Sequence, residues 1–288
     1  MKIRKAVITA AGWGTRFLPI TRSQPKEMLP LVDKPLIHYS VEEAIKSGID
    51  RIVLVTSASK RAIEDYFKRS PELESFLASK GETELSERMG EISDMADFCY
   101  VLQKEPKGLG DAVLTVKVVV GDEPFALMLP DDIIDSTVPA LKQMLAVYEK
   151  YGSSVVAVAK VRKEDTGKYG IIEPQQVAVG VYKVLSLVEK PEPSKAPSRL
   201  AIVGRYILTP RIFEILKETK PGKNGEIQLT DALNTLLKQE PLYACELKGT
   251  RYDAGTPLGW LQANVDLALK RDDIGAELKK YLKGLLKG

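Results

Sequence analysis

Residues 6–11 read Ala6-Val7-Ile8-Thr9-Ala10-Ala11, and a glycine-bearing loop, Gly12-Trp13-Gly14-Thr15-Arg16, follows at once. Consecutive apolar residues of this kind fit a strand buried on both faces, as in a parallel sheet. Beyond a polar loop that reaches Lys34, the residues Ile37, Val41, Ala44, Ile45 and Gly48 recur at helical spacing, and residues 51–56 form a second apolar strand. Strand, helix, strand make a βαβ unit, whose crossover is right-handed almost without exception.

The alternation continues, with helix over 63–67, strand over 98–102, helix over 111–118 and strand over 125–129. It predicts an α/β fold: a Rossmann-like mixed, mostly parallel sheet flanked by helices. Residues 70–97 are acidic and weakly apolar, and read as a helical excursion or insertion outside the sheet, most simply a solvated hairpin of helices. After Tyr151 the texture becomes β-rich, with strands over 155–161, 170–173, 181–188 and 201–208, and helices over 211–217 and 229–238. The expected organisation is an α/β portion (1–150), a β-rich portion continuous with the same sheet (151–256), and C-terminal helices (257–288). In the tail, Ile274, Leu278, Tyr281, Leu282, Leu285 and Leu286 share one helical face, with Lys279, Lys280, Lys283 and Lys287 mostly opposite. With little aromatic content, this reads as a packing or oligomer helix rather than a membrane anchor.

At 288 residues the chain can bury a sizeable core without a disulfide or metal staple. Its 42 Lys and Arg are interspersed with 39 Asp and Glu, so it lacks the one-sided basic excess of a nucleic-acid binder. Cys99 and Cys245 show no CxxC spacing and are expected to pack as small hydrophobes. The first apolar run is cut off by Gly12, Gly14 and Arg16, unlike a signal peptide, and no apolar stretch approaches the ~18 residues of a membrane helix. A cytoplasmic location follows as the expectation.

Glycines in a loop leaving a strand let backbone N–H groups approach phosphate oxygens. Phe17 stands where a dinucleotide fingerprint would place its third glycine, and the Walker pattern is absent. Arg16 and Lys26 add two cations to this proline-rich stretch, which suits a polyphosphate, although solvated surface cations give the same sequence. Carboxylates stand where strands end: Asp131 and Asp132 after residues 125–129, and Asp253 beside a tight turn. Each fits either a magnesium ligand or a turn residue, and Thr256 is an alternative helix cap to Asp253. His38 is the only histidine and is expected to be structural, so triads and Cys/His metal sites are excluded by supply. Glycines, fixed cations and separated acids suit phosphate chemistry by positioning and charge neutralisation.

Taken together, residues 10–16 with Pro25-Lys26-Glu27-Met28-Leu29-Pro30 resemble the sugar-nucleotide pyrophosphorylases. Phe17-Leu18-Pro19-Ile20-Thr21 narrows the resemblance to the bacterial-type UTP–glucose-1-phosphate uridylyltransferases. Matching motifs follow in order: Gln103, Gly108-Leu109-Gly110, Leu129-Pro130-Asp131-Asp132, Tyr169-Gly170, Val188-Glu189-Lys190-Pro191, residues 225–231 and Asp253-Ala254-Gly255-Thr256. The resemblance covers nearly the whole chain and implies that residues 1–150 are the nucleotide-binding portion and 151–256 the sugar-phosphate-binding portion. It implies Mg²⁺-dependent transfer from UTP to glucose 1-phosphate, giving UDP-glucose and pyrophosphate. It implies that Ala10, Ala11, Gly12, Gly14, Thr15 and Asp132 lie with the nucleotide, and that Gln103 and Gly108 read the uracil edge. Arg16 and Lys26 would neutralise the triphosphate, and Asp131 and Asp253 would hold the metal. Gly170, Glu189 and Gly204 would bind the sugar phosphate, with Lys190 clamping its phosphate. Relatives of this kind often form homodimers or homotetramers.

Two positions depart from the family pattern: Asp111, after the Gly108-Leu109-Gly110 turn, and Trp13 in the phosphate loop. Two other readings compete. One is a glucose-1-phosphate thymidylyltransferase, or an enzyme using both UTP and dTTP, since one methyl group separates bases by only ~1–3 kcal/mol. The other is a non-catalytic sugar-nucleotide sensor, against which the presence of every required cation and acid speaks.

Overall fold

The computed structural model describes residues 2–222 and 225–286. Its strands are β1 (Lys5–Thr9), β2 (Pro30–Leu31), β3 (Lys34–Pro35), β4 (Arg51–Thr56), β5 (Asp97–Leu102), β6 (Phe125–Met128), β7 (Asp132–Asp135), β8 (Val155–Lys160), β9 (Gly170–Ala178), β10 (Val181–Glu189), β11 (Leu200–Leu208), β12 (Tyr243–Glu246) and β13 (Thr250–Asp253). Its helices are α1 (Leu36–Lys46), α2 (Arg61–Phe67), α3 (Pro71–Ser79), α4 (Thr83–Asp94), α5 (Leu109–Thr115), α6 (Lys117–Val120), α7 (Ala140–Tyr151), α8 (Arg211–Glu218), α9 (Leu229–Leu236), α10 (Pro257–Leu269) and α11 (Gly275–Leu285).

Nine strands form one sheet in the order β5-β4-β1-β6-β11-β8-β12-β10-β9. The mixed α/β class read from the sequence holds. Parallel pairing occupies β5-β4-β1-β6 and the β8–β12 ladder, while β11 runs antiparallel to both β6 and β8, and β10 to both β12 and β9. The sheet is therefore mixed as a whole, with three of its four parallel ladders among the described residues in the first half. Apolar runs announce a buried strand but carry no sign of its direction, which is why the reversal at β11 was not legible.

Both faces are covered. Ile37, Val41 and Ala44 of α1, Ile63 and Phe67 of α2, and Leu141, Met144 and Val147 of α7 pack one face. Ala112 and Val113 of α5, Phe213 and Leu216 of α8, and Leu233 and Leu236 of α9 pack the other. The acidic stretch after Ser70 forms the pair α3 and α4 outside the sheet, with only Gly90 buried, as expected for a solvated helical hairpin. Cys99 and Cys245 are free thiols, and burial pushes the Cys245 thiol up to about 11. In α11, Leu278 and Leu282 are half-buried whereas Tyr281 and Leu285, and Leu286 just after the helix, are exposed; Lys287, assigned to the opposite face, lies outside the described residues.

Candidate active site

Four parallel strands deliver their carboxyl ends to one edge, where open α/β sheets bind ligands. Beyond β1 comes the glycine loop, beyond β4 Ser57-Ala58-Ser59-Lys60, beyond β5 Gln103, and beyond β6 Asp131. A cavity of ≈ 740 Å³ lies over the first three and is lined by Ala11, Gly12, Trp13, Thr15, Lys60 and Gln103, among others. A second, of ≈ 680 Å³, is lined by Arg16, Asp131, Gly170, Glu189, Lys190 and Asp253, among others. The two meet at the glycine loop, with Thr15 facing one and Arg16 the other.

Local packing explains the loop. Gly14 has φ 66°, and an added Cβ would stand 3.1 Å from Thr21 Cγ2 and 3.2 Å from Lys26 Cβ, so glycine lets the loop lie against the Lys26 side chain. Thr21 donates its hydroxyl to Gly14 O at 2.9 Å. Lys26 Nζ donates to Asp131 Oδ2 at 2.6 Å. Burial disfavours both charges, but each stabilises the other, so the Lys26 ammonium is held above the usual lysine value and the Asp131 carboxyl below the usual carboxylate value. The neighbouring Glu27 is buried, accepts from Lys60 Nζ at 2.8 Å, and leaves Oε1 without a partner. Burial pushes the Glu27 carboxyl up and the Lys60 ammonium down, each opposed by the charge of the other.

Asp131 and Asp253, far apart in sequence, are brought together by the antiparallel ladder of β7 and β13, in which Asp253 faces Asp132 and Ala254 N donates to Asp131 O at 2.8 Å. Between the two carboxylates lies Gly255: a Cβ there would stand 2.7 Å from Asp131 Oδ2 and 3.1 Å from Asp253 Oδ1. The glycine thus keeps open a cradle walled by two acids. Thr256 caps α10, accepting from Gly259 N at 3.2 Å, which leaves the Asp253 side chain free of capping duty. Among the described residues no cluster of three or more His, Cys, Asp or Glu could hold a metal, so a cation here would complete its shell with substrate oxygens and water.

In the second cavity, Glu189 Oε2 accepts from Thr230 Oγ1 at 2.8 Å while its Oε1 lies 2.9 Å from Lys190 Nζ. Lys190 sits in the left-handed region at φ 46°, a strained conformation for a non-glycine residue of the sort that clusters at functional sites. Gly170 is in close contact with Glu189: its Cβ would lie 3.3 Å from Glu189 Oε2.

The structure brings Ala11, Gly12, Thr15 and Gln103 to the first cavity, with Ala10 and Gly14 behind in the same loop and Gly108 O 3.4 Å from Gln103 Nε2. Gly204 lines the second cavity with its expected companions. Asp132 departs from expectation. It faces the second cavity, not the first, and is tied up by Gly204 N at 2.8 Å and Arg251 Nε at 2.5 Å. A Cβ at Gly204 would lie 2.7 Å from Asp132 Oδ2, so this glycine admits the carboxylate to the backbone.

Several residues escaped sequence reasoning. Lys60 follows β4 at the ligand-binding edge of the sheet, and that position was its available signal. Arg251 adds a cation to the second cavity, packed 5.1 Å from the Tyr169 ring centroid. Arg205, 1% exposed, pairs with Glu43 at 2.8 Å and donates to the carbonyls of Leu129 at 2.9 Å and Asp132 at 2.8 Å, bracketing Asp131. Nothing in sequence marks it. The structural role expected for His38 holds: it is buried, with Nε2 2.8 Å from Glu42 Oε1 and Nδ1 3.0 Å from the Tyr66 hydroxyl.

Known proteins share this sequence pattern and fold. The nucleotidyl transferase family model matches residues 5–270. The UTP–glucose-1-phosphate uridylyltransferase YngB of Bacillus subtilis is 51% identical over 286 residues, covering 99% of this chain and 96% of that protein. A crystal structure of UDP-glucose pyrophosphorylase complexed with UDP-glucose superposes with a TM-score of 0.86 at 48% identity, covering 94% of this chain and 100% of the other. The UTP-bound UGPase from Acinetobacter baumannii reaches 0.91 at 38% identity, covering 98% and 99%. By full-length likeness, fold and site architecture together, this chain belongs to the nucleotidyl transferase family, alongside the bacterial UTP–glucose-1-phosphate uridylyltransferases.

Proposed function

We propose that the chain transfers a uridylyl group from UTP to glucose 1-phosphate, releasing UDP-glucose and pyrophosphate. The observation that carries this reading is the junction of two cavities at a glycine loop, with cations and paired acids where they meet. A phosphate oxygen of the sugar phosphate attacks the α-phosphorus of UTP. The bond from that phosphorus to the β-bridging oxygen breaks, and pyrophosphate leaves with the electron pair.

The chain's part is positioning and charge. Backbone N–H groups of residues 12–15 approach the triphosphate, Arg16 and Lys26 oppose the charge of the departing pyrophosphate, and Lys190 holds the sugar phosphate while Glu189 and the Gly170 backbone take sugar hydroxyls. Holding two anions in line removes an entropic barrier of up to roughly 7–11 kcal/mol. Nucleotidyltransferases of this kind generally use a divalent metal. We take it to be Mg²⁺, held by Asp131 and Asp253 in the cradle that Gly255 leaves open. When bound, such an ion offsets charge on the phosphate oxygens.

Residues 1–150 then form the nucleotide portion and 151–256 the sugar-phosphate portion, in a cytoplasmic enzyme. Among the described residues no helix is long and apolar enough to cross a membrane. The exposed Tyr281, Leu285 and Leu286 support α11 as the contact of a homodimer or homotetramer. Sedimentation of a chain truncated before Ile274 tests that contact, and an unchanged assembly refutes it. For the reaction itself, Lys190→Ala is expected to raise the KM for glucose 1-phosphate at least tenfold while leaving the KM for UTP unchanged. An equal effect on both substrates contradicts the division of the cavities.

A further inference from the structure

Gln103 directly follows β5, is buried, and lines the first cavity. Its amide nitrogen is fully engaged: Nε2 donates to Asp111 Oδ2 at 2.7 Å and makes a longer contact to Gly108 O at 3.4 Å. Oε1 has no hydrogen-bond partner among the described residues. A primary amide has two ends of nearly equal size, and turning it over exchanges an acceptor for a donor. An ionised carboxylate only accepts, so Asp111 admits one orientation, with the NH₂ group turned to α5 and the oxygen left for a ligand.

We propose that Asp111 is a positioning residue that holds Gln103 as an acceptor in the nucleotide cavity, selecting pyrimidine bases that carry an N3–H over those whose N3 accepts. Uracil and thymine satisfy Gln103 Oε1; cytosine presents a lone pair to it and leaves two acceptors facing each other. The inference rests on the nucleotide reading of this cavity and extends it from phosphate binding to base choice. It also gives Asp111, a departure from the family pattern, a function beyond opening a helix.

The test is calorimetric binding of UTP and CTP to the full chain, with melting curves for every variant. The wild type is expected to bind UTP at least roughly a hundredfold tighter than CTP, because a site built around one hydrogen bond leaves its polar group unpaired with the wrong base. In Asp111→Asn the introduced amide either donates or accepts, so Gln103 is free to turn and the UTP-to-CTP ratio is expected to fall at least tenfold. In the pair Gln103→Glu with Asp111→Asn, the new glutamate presents only acceptors and takes a hydrogen bond from the new asparagine, so the preference for UTP is expected to return. A ratio unchanged in Asp111→Asn overturns the proposal. So does a parallel loss of both affinities with a lowered melting temperature and no recovery in the pair, which marks a purely structural residue. A wild-type chain that binds neither nucleotide overturns this proposal together with the reading of the cavity on which it rests.

Discussion

Lys26 and Asp131 keep each other ionised beside the glycine loop, which is what a site for phosphate transfer needs and what burial alone would oppose. Lys26→Ala removes a cation aimed at developing charge and is expected to lower turnover by roughly 10²–10³-fold, measured as pyrophosphate release. Gly255→Ala acts differently, because its Cβ fills the cradle, 2.7 Å from Asp131 Oδ2. It is expected to raise the Mg²⁺ concentration for half-maximal rate about tenfold or more with little change in melting temperature. Acids and glycines of this kind were legible in sequence because an abrupt carboxylate at the end of an apolar run is visible locally. Asp131 and Asp132 look alike in sequence, and only remote partners tell them apart: Lys26 pairs with the first, while the Gly204 N–H and Arg251 hold the second.

Elements are held in register by groups whose partners are remote. Arg205 on β11 joins Glu43 on α1 and brackets the β6–β7 turn, and Glu43 also accepts from Leu141 N at 3.0 Å on α7. Breaking one side of a buried pair leaves the other charge uncompensated, so Arg205→Met is expected to cost about 3–5 kcal/mol in denaturant unfolding. Adding Glu43→Met should recover most of that loss, while turnover stays low because the turn carrying Asp131 is loosened. On the exposed side of α1, the hydrogen bond from His38 depresses the Glu42 carboxyl below its ordinary range against the opposing effect of burial, and Lys34 and Lys46 act with His38. A depressed carboxyl adds stability that is complete above its unfolded value of about 4.3 and declines as pH falls below that value. Glu42→Gln is therefore expected to be less stable than the wild type by about 2 kcal/mol at pH 7, with the gap closing toward pH 2 in melting curves. Helix existence was mostly legible from periodicity. The sequence reading has no counterpart to α7, although Leu141, Met144 and Tyr148 recur at helical spacing and are buried. β7 and β13 have four residues each, too few for a pattern, yet they unite the acids.

Across the whole molecule, the direction of the strands divides the labour. The parallel half brings the carboxyl ends of β1, β4, β5 and β6 to one edge, where the glycine loop, Lys60, Gln103 and Asp131 collect. The antiparallel half closes the second cavity with the end of β10, the start of β9 and the middle of β11, bringing Glu189, Gly170 and Gly204 to it. Spacing along the chain foretold the first half well; the second depended on long-range pairing, and the order of family motifs supplied what local pattern lacked. The most direct measurement is pyrophosphate release by the full chain with Mg²⁺, crossing UTP and dTTP with glucose 1-phosphate and galactose 1-phosphate. Rapid release is expected when UTP and glucose 1-phosphate are both present and not with either alone. No release with any pair, while UTP still binds, would contradict catalysis and leave a nucleotide-sensing protein on the same fold.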